Sequence, residues 1–155
     1  MESSVGAFDM VPLTTPSHWA AFHDIRRTVL FEARGRVDVY DEHHPDDRAA
    51  TNHPFLLIAN GIAVAAVRVD LGAEPGAAVF RLLAVRAPMQ RQGYGRALMQ
   101  LAESFAKREG CHLFIAYVAP NAIEFWTKLG YRMASKQSPG TDPRMEKRSH
   151  EELER

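Results

Sequence analysis

The sequence predicts an α+β fold, with helices flanking a twisted, mixed and mainly antiparallel sheet. Short runs rich in β-branched and aromatic residues recur along the first half with turn signals between them, as antiparallel neighbours require. In the second half, a strand pattern over residues 79–85 passes through a glycine turn into a helix pattern and out to another strand pattern over 112–118. Such a crossover makes that one pair parallel. Length supplies the third bound: 155 residues with 46% hydrophobic content bury a substantial core without a second domain or staples. A single domain is expected over residues 1–148, followed by a charged, solvated tail over 149–155.

The elements follow in order. Residues 8–13 read as a first strand and 17–32 as a helix, with Ser17 as its N-cap and Gly35 beyond its end. Residues 35–54 are polar and crowd Asp38, Asp41, Glu42, His43, His44, Asp46 and Asp47 together. That stretch reads as a solvated connection or lid enclosing a short helix after Pro45, with recognition of a cationic ligand or a metal as the sharper alternatives. Adjacent loop residues define no coordination geometry, so no metal is expected. Residues 55–59 and 62–69 are β-rich and separated by Asn60-Gly61, the signature of a tight hairpin. Another turn lies at 72–76. After the parallel crossover, residues 121–129 read as a helix, and 131–135 and 144–148 as the last two strands, with a Pro/Gly loop between them.

The densest information lies in Gln90-Arg91-Gln92-Gly93-Tyr94-Gly95-Arg96, between the strand at 79–85 and a helix whose apolar face is Ala97, Leu98, Leu101, Ala102, Phe105 and Ala106. Glycines there allow a tight turn, and a helix start presents unpaired N–H groups and a positive dipole end to an anion. Arg91 and Arg96 add positive charge. A Walker A loop needs Gly-Lys-Ser/Thr, and Gly95 is followed by Arg96-Ala97. The dinucleotide fingerprint needs a third glycine where this chain has Leu98. What fits is the Gln/Arg-x-x-Gly-x-Gly/Ala signature of the GNAT superfamily of acyl-CoA-dependent N-acetyltransferases, carried by Gln90, Gly93 and Gly95. Leu83-Ala84-Val85 resembles that family's strand before the loop, and Pro88 lies in the short connection. Residues Ala122-Ile123-Glu124-Phe125-Trp126-Thr127-Lys128-Leu129-Gly130-Tyr131 are similar to its Ala-x-x-Phe-Tyr-x-x-x-Gly-Phe block.

The resemblance covers about residues 78–135 and implies a GNAT-type fold whose parallel strands splay to admit a pantetheine arm. Acetyl-CoA is then the expected cosubstrate. It implies that residues Gln90 to Arg96 hold the pyrophosphate, while backbone donors near Leu83 and Val85 align the thioester. The family's aromatic pair commonly ends in a tyrosine that serves as general acid, but this chain has Phe125-Trp126. An indole N–H donates a hydrogen bond without releasing its proton near neutral pH, so Tyr117 and Tyr94 become substitutes, with Tyr117 preferred and Tyr94 expected to point toward solvent. Trp126 and Tyr117 both also have plain packing readings. The family's pantetheine asparagine falls on Ala119, with Asn121 two residues later. No carboxylate stands on the strand before the loop, which leaves Glu124 and residues 38–47 as acidic candidates.

Composition excludes other classes. Nineteen basic and nineteen acidic side chains cancel, so no general field favours nucleic acid or an anionic membrane. One cysteine, Cys111, forms no internal bridge, and no membrane-length apolar run occurs; a cytoplasmic location is expected. Cys111 and its neighbour His112 point to opposite faces of a strand, against a thiol nucleophile. The expected partner is an amine-bearing acceptor of open identity, small molecule or protein, and a homodimer is left open. The alternatives are a noncatalytic acyl-CoA-binding or regulatory module, consistent with Trp126, and a phosphotransfer domain, opposed by the missing loop lysine.

Overall fold

Asn60 and Gly61 both take left-handed backbone angles (φ 52° and 81°), as a two-residue hairpin turn requires. The computed structural model, which describes residues 7–36 and 38–149, accordingly joins β2 (Asn52–Ala59) and β3 (Ile62–Asp70) as an antiparallel hairpin. With β1 (Phe8–Pro12), β4 (Ala77–Val85), β5 (Leu113–Tyr117), β6 (Arg132–Met133) and β7 (Arg144–Arg148) they form one seven-stranded sheet of order β1-β2-β3-β4-β5-β7-β6. Only β4 and β5 run parallel. The expected α+β fold with its single parallel pair is therefore present. Of the expected tail, residues 150–155 lie outside the described residues; Ser149 is buried and its N–H bonds His112 O.

The first helix differs from the reading of one continuous α-helix. Regular α1 spans Pro16–Arg26, and Thr15 rather than Ser17 caps it, its hydroxyl accepting from His18 N–H at 3.1 Å. Pro16 at the first helical position explains the earlier start, since its missing N–H is one that no helix bond would use. The chain then widens into a π-helical turn at Arg27–Phe31 and tightens into a 3-10 turn at Glu32–Arg34 before Gly35 ends it at φ 76°. Apolar periodicity cannot distinguish these ladders. Strand β2 also starts three residues earlier than expected; Pro54 fits because β1 ends opposite Phe55, leaving that edge without a partner for its absent N–H.

Helices cover both faces. Phe22 and Ile25 of α1 pack on Leu56, Ala66 and Ala84, while α2 (Tyr94–Arg108) lays Leu98, Met99, Ala102 and Ala106 on the main core around Phe55, Val67 and Phe114. Short α3 (Ile123–Lys128) adds Trp126 to that core. The feature that positions a site is in the middle of the sheet. β4 pairs with β5 only from Ala77↔Leu113 to Phe80↔Ala116. Leu82 then takes φ 59°, and the β3–β4 register slips between Ala66 and Arg68. A bulge bends its strand, so β4 follows β3 to Val85 while β5 stays with β7, and the parallel pair opens.

Candidate functional site

The turn that follows β4 is built from backbone. Arg91 and Gly93 take positive φ (65° and 89°), and Ala97 N–H, bonded to Gly93 O at 2.9 Å, is the first of α2 to find a backbone acceptor. The N–H groups of Tyr94, Gly95 and Arg96 are left free, no side chain caps the helix, and no acid sits in its first turn. Exposed Arg91 and Arg96 flank this end, which suits an anion. The two glutamines brace the turn: Gln90 Nε2 donates to Val85 O at 2.9 Å and Gln92 Nε2 to Pro88 O at 3.1 Å. Gly95 serves a close approach between helices, since a Cβ there would stand 3.2 Å from the Phe125 ring. Tyr94 corrects the sequence reading. It shares a helix face with Leu98 and Ala102, so its side chain enters the core at 4% exposure and does not point toward solvent.

The turn opens into a cavity of about 700 Å³ where β4 and β5 diverge, walled by Leu83 and Val85, by Gln90, Arg91, Gly93, Gly95 and Arg96, and by Asn121, Phe125 and Trp126. Successive residues of an antiparallel strand turn their amides to opposite edges. Arg86 N–H bonds Val64 O on β3, so the amides of Leu83 and Val85 face the opened side, where β5 no longer pairs. A second cavity of about 240 Å³ adjoins the first and shares Leu83, Ala122 and Trp126 with it; Phe31, Arg36, Leu82, Tyr117 and Asp142 line the rest. The widened turn after α1 borders both, through Val29 on the larger cavity and Leu30 and Phe31 on the smaller. Of the residues named from sequence, Gln92 and Tyr94 are outside both linings, and Asn121 lies on the larger cavity while Ala119 lies on the smaller.

Tyr117 ends β5 at the smaller cavity, 38% exposed, with the Arg81 guanidinium 5.4 Å from its ring centroid. Arg81 is held by Asp70 at 3.1 Å. Arg144 donates to Glu74 at 2.6 and 3.2 Å and to Glu146 at 2.7 Å. The bond from Arg144 holds the Glu74 carboxyl below the usual range, and Glu74, joined by Glu146 and the Tyr117 hydroxyl against the effect of partial burial, raises Arg144. Trp126 is 6% exposed and meets the rings of Phe125 and Tyr131 edge-on. Its indole N–H has no acceptor among the described residues, and its side chain lines both cavities. Tyr131 is elsewhere: burial, with Glu103 beside it, pushes its phenol well up, and its hydroxyl donates to Glu103 at 2.8 Å.

Most of the acidic candidates named from sequence are engaged in other places. Asp41 accepts from His43 N–H, Glu42 pairs with Arg27, and Glu124 pairs with Lys128 at 3.4 Å on the surface. Asp47 corrects the reading of a solvated loop. It is 2% exposed and bridges Arg26 of α1 at 3.0 Å to Arg68 of β3 at 2.9 Å, because a short 3-10 turn at Pro45–Arg48 carries it inward. Among the described residues, no three His, Cys, Asp or Glu side chains converge to hold a metal ion. Cys111 is buried and its thiol pushed up by that burial, while His112 is exposed. The carboxylate that does line the smaller cavity, Asp142, was missed from sequence. It sits in a Pro/Gly loop without periodicity, and the pairing of β7 with β5, with Arg144 opposite Tyr117 and extended by the bond from Val118 N–H to Pro143 O at 2.8 Å, brings it beside β5.

This arrangement has counterparts. A family model described as the acetyltransferase (GNAT) family matches residues 19–131. An acetyltransferase from Thermus thermophilus is similar over 94% of this chain and 99% of its own, with a TM-score of 0.74 at 22% identity. An acyl-CoA N-acyltransferase from Pseudomonas aeruginosa matches over 91% and 99% (TM-score 0.76, 17% identity). The ribosomal-protein-S18-alanine N-acetyltransferase from Escherichia coli matches over 90% and 91% (TM-score 0.68, 19% identity).

Proposed function

We propose, for a chain that belongs to the acetyltransferase (GNAT) family of acyltransferases, that it moves an acetyl group from acetyl-CoA to a primary amine by direct attack in a ternary complex. The observation that carries this is the junction of two cavities at Leu83, Ala122 and Trp126, with an uncapped helix start and two arginines at the far end of the larger one. The pyrophosphate fits over the free amides of Tyr94, Gly95 and Arg96, between Arg91 and Arg96. The pantetheine arm then follows the freed edge of β4, whose Leu83 and Val85 amides offer donors to its amides and to the thioester oxygen. The acceptor approaches from the smaller cavity.

Attack requires a neutral amine, and for a lysine-like pKa near 10.4 deprotonation at pH 7 costs about 4–5 kcal/mol. Once that proton has left, the nitrogen lone pair bonds the carbonyl carbon and the carbon–sulfur bond breaks. A second proton leaves nitrogen for water, and the departing sulfur takes one. Tyr117 is the group we assign to supply it: it ends β5 on the smaller cavity, and its phenolic O–H can donate. Trp126 contributes a hydrogen bond and keeps its proton. The E. coli neighbour's name specifies an alanine of a ribosomal protein, but a likeness of 19% identity carries the fold and not the acceptor.

A panel of primary amines assayed by release of the CoA thiol tests the reaction. Acceptor-dependent release is expected, with an N-acetyl product by mass. Saturable acetyl-CoA binding with no release across the panel would instead support a binding module.

A further inference from the structure

We propose that the acceptor is a small amine that also carries a carboxylate, its carboxylate received by Arg36 and its ammonium by Asp142; this deepens the acetyl-transfer reading and rests on it. Charge around the smaller cavity is unevenly matched. Arg81 is bonded to Asp70, and Arg144 to Glu74 and Glu146. Arg36 and Asp142 both line the cavity, yet Arg36 pairs with no carboxylate and Asp142 with no cation among the described residues. The Arg36 guanidinium lies 5.0 Å from the centroid of the Phe31 ring, itself a wall of the cavity. That stacking holds the planar fork in place and leaves its N–H groups for a bidentate partner.

One unmatched cation and one unmatched anion in a shared cavity suit a zwitterion. A simple amine would satisfy Asp142 and leave Arg36 unmatched, and a polyamine would bring surplus positive charge against Arg36. The remaining walls are apolar, Leu30, Phe31, Leu82 and Val118 among them. A volume of about 240 Å³ equals roughly eight waters at about 30 Å³ each, which suits a body the size of an amino acid with an apolar side chain. Acetylation converts the ammonium to a neutral amide with the carboxylate intact, so the product has lost its attraction to Asp142 and leaves more readily than the substrate.

Two acceptor pairs that differ only in the carboxylate test this: L-phenylalanine against 2-phenylethylamine, and L-leucine against 3-methylbutylamine, each with acetyl-CoA and thiol detection. The amino acids are expected to be preferred by about tenfold or more in kcat/KM, the worth of a charge-assisted pair. Arg36→Gln should collapse that ratio toward one through KM, Arg36→Lys should retain part of it, and Asp142→Asn should raise KM for both members of each pair. Acetyl-CoA titration of every variant separates lost recognition from lost folding. Preference for the amines without a carboxylate, or an Arg36→Gln variant that weakens both members equally, overturns the acceptor class and leaves acetyl transfer standing. No release from any amine while acetyl-CoA binds overturns both.

Discussion

Trp126 stands where the two cavities meet and Tyr117 lines the smaller one, and they are expected to fail differently. Tyr117→Phe removes the proposed proton donor, so kcat should fall by about 10²-fold or more while KM for acetyl-CoA moves little. Acetyl-CoA affinity should be kept in the same variant; a matching loss of acetyl-CoA binding would assign Tyr117 to packing. Trp126→Phe keeps an aromatic ring in the core and removes one neutral hydrogen bond, for which about 1 kcal/mol, or roughly a fivefold loss of kcat, is expected. A loss as large as that of Tyr117→Phe would reverse the two roles. At this scale the sequence pointed to the aromatic pair and the glycine turn because their spacing is local. It could not reveal that Tyr94 turns inward, or that Asp142 arrives from a loop far along the chain.

Between elements, the described ion pairs that matter most tie the segment after α1 back to the sheet. Asp47 joins Arg26 to Arg68, and Arg68 is fixed in turn by two bonds to Asp70 at 2.7 and 2.9 Å. Arg26, Asp47 and Arg68 are each at most 4% exposed, so Asp47→Asn leaves buried Arg26 without a carboxylate and Arg68 with Asp70 alone. A loss of about 3–5 kcal/mol is expected, read as a lower urea midpoint at unchanged slope; a loss below about 1 kcal/mol would show the cluster to be solvated. His23 and Tyr40 fasten the same segment, with 2.6 Å between Nδ1 and the hydroxyl. Burial pushes the Tyr40 phenol up to about 12 and lowers the His23 pKa, so neutral His23 accepts from the Tyr40 O–H. Since the folded imidazole resists a proton that the unfolded one takes near 6.5, this contribution is present above that pH and is lost as pH falls below it. Thermal unfolding at pH 7 and pH 5 should show a larger drop for the wild type than for His23→Gln, and equal drops would exclude it. Strand and helix order was legible because alternation, Asn60-Gly61 and the crossover are local patterns. The π-helical turn, the insertion of β7 between β5 and β6 and the burial of Asp47 were not, since each is decided by distant partners.

For the molecule as a whole, the bulge at Leu82, the free amides of α2 and the walls from α3 converge on one cleft only because β4 and β5 separate after Phe80 and Ala116. Ligand that binds the folded cleft and not the unfolded chain must stabilise the whole fold by mass action, about 2.7 kcal/mol at a hundredfold excess over Kd. Acetyl-CoA should therefore raise Tm in a concentration-dependent way. The most direct measurement is calorimetric titration of acetyl-CoA into the wild type and into Gly93→Asp, whose carboxylate would stand at the turn beside the free amides. Saturable 1:1 binding by the wild type, abolished in a folded Gly93→Asp, is the expected result; equal binding by both proteins would contradict the placement of the CoA pyrophosphate on this turn.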